Sequence, residues 1–73
     1  MIIKITAGSL AKKYSIQENI NLKDGANIYD ALAELAVPAD EIGLTSVNGK
    51  AFPRDYILND GDNLEIFPVI VDG

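Results

Sequence analysis

Hydrophobic and polar residues alternate in two runs of the first third of the chain, with the period of two that is typical of β-strands. In "MIIKITA" Ile3 and Ile5 share one face, and "YSIQENINL" again has apolar residues of one parity. Between these runs "GSLAKK" holds Gly8 and the pair Lys12-Lys13, and we expect it to form the turn. The pattern therefore predicts an antiparallel hairpin whose two strands each bury one face.

The next segment, "KDGANIYDALAELAVP", changes to the helical period and predicts one main helix over about residues 27 to 36. Ile28 and Leu32 lie one turn apart on its apolar face. Asn27 is a good N-cap residue, and Pro38 ends the helix because it disfavours helical geometry at the residue before it. A helix this short is not stable alone, so it must pack on the sheet.

Two more strand signals follow the helix. In "GLTSVNGKAF" the pair Asn48-Gly49 is a strong hairpin signal, because both turn positions need positive φ. The segment "PRDYILNDGD" is irregular, and "NLEIFPV" is the last strand, with Leu64 and Ile66 on one face and Phe67 on the other. We therefore expect a strand, a short return strand, a crossing segment and a final strand.

The order of these elements predicts an α+β fold. A mixed four- to five-stranded sheet with one main helix across one face accommodates them, with the first and last strands central and parallel. This is the β-grasp, or ubiquitin-like, arrangement.

Composition narrows the function classes. The 73 residues suit a single β-grasp domain, residues 1–73, and contain neither cysteine nor histidine. Their absence removes disulfides, thiolate nucleophiles, the usual general base near neutral pH and the commonest metal ligand. We therefore expect a protein that is not an enzyme by itself and that holds no metal and no bound cofactor.

Charge and hydropathy limit the partners. Eleven acidic and six basic residues give a net charge of −5, which disfavours nucleic acid because that partner needs a basic face. A basic protein partner and plain solubility both fit this balance. No run approaches about 18 apolar residues, and the N-terminus lacks a signal-peptide pattern. We expect a cytoplasmic protein with no membrane partner.

The second half of the chain resembles the ThiS/MoaD family of ubiquitin-like sulfur carriers. The segment "SVNGKAFPRDYILNDGDNLEIFPVIVDG" carries the resemblance, and "DGANIYDALAELAVP" is similar to the family's helix. The matching features are Val47-Asn48-Gly49, Pro53-Arg54, Leu58 before Asp60-Gly61-Asp62, and Glu65-Ile66-Phe67-Pro68. Of the two branches, "IFPV" is closer to the molybdopterin-synthase small subunit, and the short length is closer to ThiS.

The resemblance implies a sulfur carrier, which is a cosubstrate rather than an enzyme. A ThiF/MoeB-type activating enzyme would use ATP to adenylate the carboxylate of Gly73, and a sulfur donor would convert it to a thiocarboxylate. Thiazole synthase or the molybdopterin-synthase large subunit would then accept the sulfur, for thiamine or molybdenum cofactor biosynthesis. Val71 and Asp72 would thread the partner's channel ahead of Gly73.

One position departs from that family, because Asp72 stands where the penultimate glycine belongs. A negative charge about 5 Å from the ATP phosphates costs roughly 3 kcal/mol at an effective dielectric constant near 20. Slow conversion is therefore expected. The alternative function is a β-grasp protein-binding module that has lost the Gly-Gly chemistry.

Residues beside the tail complete the predicted site. Pro68 has no amide donor, so we expect the strand to end there and residues 69–73 to form a flexible tail. Phe67 lies opposite the core face, which predicts a contact with the partner. We expect Pro68 and Arg54 to bind the partner too. Arg54 would meet a phosphate or an acidic group of the partner, with a local salt bridge to Asp55 or Asp60 as the alternative.

Overall fold

A five-stranded mixed sheet organises the chain in the computed structural model, which describes residues 1–70. The predictions for Val71, Asp72 and Gly73 lie outside the described residues. The strands are β1 (Ile2–Thr6), β2 (Asn19–Asn21), β3 (Ile42–Val47), β4 (Lys50–Ala51) and β5 (Asn63–Pro68). Their order in the sheet is β2-β1-β5-β3-β4, and the central pair β1 and β5 is parallel. The predicted α+β, β-grasp architecture is confirmed.

The strand registers place one apolar layer on the inner face of the sheet. Ile3 lies opposite Ile20 in the antiparallel β1–β2 pair, and Leu64 lies opposite both Ile5 of β1 and Val47 of β3. The largest fully buried side chains are Ile3, Ile28, Val47, Leu64 and Ile66. Burying a side chain of this size contributes about 1.5–3 kcal/mol, so this layer is the main source of stability.

The main helix, α2 (Ile28–Leu35), packs on that inner face and begins at a capping box. Asn27 Oδ1 accepts from the Asp30 amide at 2.9 Å, and Asp30 Oδ2 accepts from the Asn27 amide at 2.9 Å. The helix ends at Ala36, whose φ of 57° is left-handed, before Pro38. The helix therefore has the predicted boundaries to within a residue.

The predicted turn "GSLAKK" is wrong, because a short helix, α1 (Ser9–Lys13), replaces it. The helix turns Leu10 into the core, where the side chain is buried. The second predicted strand is correspondingly short, since only Asn19–Asn21 pairs with β1. Lys13 forms an ion pair with Glu41 rather than sitting at a hairpin tip.

The β3–β4 turn is bonded to the turn before β5. Asp62 is 8% exposed, and its carboxylate accepts from Asn48 Nδ2 at 2.9 Å and from the Asn59 amide at 2.8 Å. Asn48 Oδ1 in turn accepts from the Asn63 amide at 2.9 Å. Two turns distant in sequence are thereby held together at the start of β5.

Candidate functional site

The outer face of the sheet, opposite α2, is polar over most of its length. Thr6 Oγ1 donates to Asn63 Oδ1 at 3.1 Å, and Ser46 Oγ donates to Glu65 Oε1 at 3.1 Å. These bonds connect neighbouring strands through polar side chains in the middle of the face. A partner that seeks an apolar contact therefore has to use the ends of this face.

At the end of β5 the outer face becomes apolar. Leu44 of β3 lies directly opposite Phe67 of β5, and the two side chains are 53% and 42% exposed. We call this pair the apolar patch. The chain continues from it into Val69 and Ile70, which are also exposed. The predicted outward position of Phe67 is therefore correct, and Leu44 extends the surface.

A β-bulge in β3 creates the patch. The register shifts between Ile42, which pairs with Pro68, and Leu44, which pairs with Phe67, so Gly43 is the extra residue. Ile42 is buried, whereas Leu44 is exposed, although both have the same parity. The bulge thus turns Leu44 to the outer face.

Gly43 also allows the backbone of β3 to lie close to the backbone at the end of β5. A Cβ atom at this position would lie 2.9 Å from the Pro68 carbonyl oxygen and 3.2 Å from Val69 Cα. Both neighbours are backbone atoms, which cannot rotate away. Glycine is needed here for space.

Two hydrogen bonds fix the backbone on either side of the contact between Gly43 and Pro68. The Val69 amide donates to the Glu41 carbonyl at 3.1 Å, in the 3₁₀ turn Ala39–Glu41. Arg54 Nη2 donates to the Ile42 carbonyl at 3.0 Å. Arg54 therefore lies near the patch, and among residues 1–70 its guanidinium makes this backbone bond instead of an ion pair with Asp55 or Asp60.

Pro68 lies where β5 ends, as the sequence predicts, and it is exposed. It borders a groove of about 360 Å³ between α1 and the 3₁₀ turn, whose other lining residues are Ser9, Leu10, Lys13, Asp40, Glu41 and Val69. Within the described part of the chain, no group of three or more His, Cys, Asp or Glu residues is placed to hold a metal ion. No helix there has the length and apolar character to cross a membrane.

Comparison with known proteins agrees with this architecture. Residues 11–72 match the protein family described as Mut7-C ubiquitin. The fold is similar to the crystal structure of SAMP1 from Haloferax volcanii, with a TM-score of 0.78 and 20% identity over 100% of both chains. No curated protein matches the chain. The ubiquitin-like assignment made from the sequence is confirmed.

Proposed function

Since the chain belongs to the Mut7-C ubiquitin family, we propose that it is a ubiquitin-like sulfur carrier of the ThiS/MoaD type. The carboxylate of Gly73 is the reacting group. The observation that carries the proposal is the location of the apolar patch at the end of β5. Gly73 is six residues beyond Phe67, so a partner docked on the patch finds the carboxylate at most about 20 Å away.

The chemistry needs an external activating enzyme. A carboxylate resists attack by a nucleophile, and transfer of AMP from ATP by a ThiF/MoeB-type enzyme supplies a leaving group. A sulfur donor then displaces AMP. The chain has neither cysteine nor histidine to perform these steps, which supports the role of cosubstrate, with thiazole synthase or the molybdopterin-synthase large subunit as acceptor in the cytoplasm.

The apolar patch supplies the docking energy in this proposal. Leu44 and Phe67 are each about half exposed, so completing their burial contributes roughly 1–1.5 kcal/mol per side chain. Phe67→Ala is expected to raise the KM of the carrier for its activating enzyme about 5- to 30-fold. Ile2→Ala is the matched control, because Ile2 is 49% exposed on the same face but lies near the start of β5.

Intact mass after incubation with a ThiF/MoeB-type enzyme, ATP and a sulfur source tests the chemistry. The expected product is heavier by the difference between sulfur and oxygen. Asp72→Gly should speed conversion about ten- to several-hundredfold, because it removes a like charge near the phosphates. Deletion of Gly73 should abolish conversion, since the chain would then end on a β-substituted acid.

The second candidate is a β-grasp binding module without carrier chemistry. Two features favour it: Asp72 in place of the family glycine, and a patch that needs no carboxylate to bind a protein. If neither the parent chain nor Asp72→Gly is adenylated, the carrier proposal fails. The binding module then predicts that Phe67→Ala, but not Ile2→Ala, loses a captured partner.

A further inference from the structure

We propose that Gly43 sets the direction in which the C-terminal segment leaves the domain, and that it is a positioning residue for delivery of the carboxylate. The consequence for delivery rests on the proposed function. The geometry rests on contacts at the end of β5, which we call the root clamp: the Gly43–Pro68 approach, the Val69–Glu41 bond and the Arg54–Ile42 bond.

A side chain at position 43 would collide with the end of β5. A Cβ on Gly43 would lie 2.9 Å from the Pro68 carbonyl oxygen, about 0.5 Å inside an ordinary contact of 3.4 Å. Gly43 carries no positive φ, unlike Gly49, so its backbone does not require glycine. Any larger residue therefore pushes β3 and the end of β5 apart, and the displaced atoms belong to the backbone that leads into the C-terminal segment.

Hydrogen bonds hold the backbone on both strands next to Gly43. Pro68 has no amide hydrogen, so the Val69 amide is the first donor after Phe67, and it bonds to the Glu41 carbonyl at 3.1 Å. Arg54 holds the first residue of β3 by its bond to the Ile42 carbonyl. Separating Pro68 from Gly43 would lengthen the Val69–Glu41 bond, and the chain would lose its last fixed direction.

The direction in which the chain leaves β5 is linked to the apolar patch. Gly43 is adjacent to Leu44, and Val69 is two residues from Phe67, so the apolar patch and the exit of the chain share the same two strands. Gly73 is four residues beyond Val69, at most about 14 Å away. A changed direction at Val69 would change where the carboxylate is delivered, and misplacement by about 1 Å can already lower a rate 100-fold.

A spin label tests the direction without any enzyme. The chain has no cysteine, and Ile70 is 88% exposed, so Ile70→Cys accepts a nitroxide at one site. We expect the label to broaden one compact group of amide resonances in the parent. Gly43→Ala should spread the broadening to further amides, and Val69→Pro, which removes the amide donor, should do the same. Val69→Ala keeps that donor and should keep the parent pattern.

An unchanged pattern in either Gly43→Ala or Val69→Pro would overturn the root clamp. Val69→Pro also decides the matter if Gly43→Ala does not fold, because it removes the Val69–Glu41 bond without placing a side chain at position 43.

Kinetics with the activating enzyme test whether Gly43 positions the carboxylate. Gly43→Ala should lower kcat about 10- to 100-fold with KM within about twofold of the parent, whereas Phe67→Ala should mainly raise KM. A variant that is merely partly unfolded would raise the apparent KM, and this result would overturn the positioning role. If neither the parent nor Asp72→Gly is converted, the proposed function fails, and the label pattern still decides the exit direction.

Discussion

Replacing Asp62 by alanine should destabilise the domain by about 2–4 kcal/mol, although the residue lies in a turn. The residue is 8% exposed, and its carboxylate accepts two hydrogen bonds, from Asn48 Nδ2 and the Asn59 amide. A hydrogen bond to a charged group contributes about 1.5–3 kcal/mol, and relief of the buried carboxylate's desolvation offsets part of the sum. A domain of 73 residues has only about 4–11 kcal/mol in total.

A double-mutant cycle isolates the contact between the two turns. Asn48 has a φ of 53°, so Asn48→Gly removes the side chain and keeps the backbone conformation accessible. We expect a coupling energy of about 1–2 kcal/mol between Asn48→Gly and Asp62→Ala. Asp62→Asn has the same shape but one acceptor atom, and should lose about 1–2 kcal/mol.

Urea unfolding monitored by circular dichroism measures all four corners of the cycle at one pH and salt concentration. Additivity within about 0.3 kcal/mol would show that the two turns are independent, and the reasoning from the Asn48–Asp62 bond would be wrong. A loss below about 1 kcal/mol for Asp62→Ala would show that water replaces both bonds at no cost.

Three further predictions concern stability in the same urea assay. Leu32→Ala should cost about 2–5 kcal/mol, because Leu32 is buried between α2 and the sheet, and a loss under about 1 kcal/mol would exclude it from the core. Ala36→Gly should raise the free energy of unfolding by about 0.5–1 kcal/mol, since Ala36 holds a left-handed φ of 57°; a decrease would contradict this. Lys13→Ala should cost less than about 1 kcal/mol, because its ion pair with Glu41 is solvent-exposed, and a larger loss would show a structural role.

The main helix could be predicted because its signals are local. Asn27 and Asp30 form the capping box within four residues, and Ile28 and Leu32 repeat at the helical period. Local bonds and one buried stripe specify such a helix without knowledge of the rest of the fold. The outward position of Phe67 followed from the same kind of local rule, the alternation within one strand.

The region after β1 was misread because parity does not distinguish a strand from other core contacts. Tyr14 and Ile16 pack against the core from a segment outside any strand, and Leu10 reaches the core from a short helix. Ser15, at a φ of 53°, interrupts the extended conformation that the alternation suggested. Serine gives little sign of a left-handed position, so tertiary packing decided this segment.

Leu44 and Gly43 were missed for a different reason. A bulge reverses the parity of every residue after it, and Ile42 and Leu44 consequently face opposite sides. The glycine that permits the bulge acts on Pro68 and Val69, which are distant in sequence. A contact of this kind depends on the sheet order and becomes visible only when β3 and β5 are paired.

The central place of β5 has a mechanical consequence. This strand is bonded on both sides, parallel to β1 and antiparallel to β3. A force along β5 loads both hydrogen-bond ladders in shear, so several hydrogen bonds must break together. A force across the sheet opens the hydrogen bonds one at a time.

Single-molecule pulling between residues 2 and 70 should therefore require more force than pulling between the edge strands at Asn21 and Lys50. A lower force along the strands would contradict the shear geometry. The end of β5 is thus the point of the domain that best resists a load along the chain.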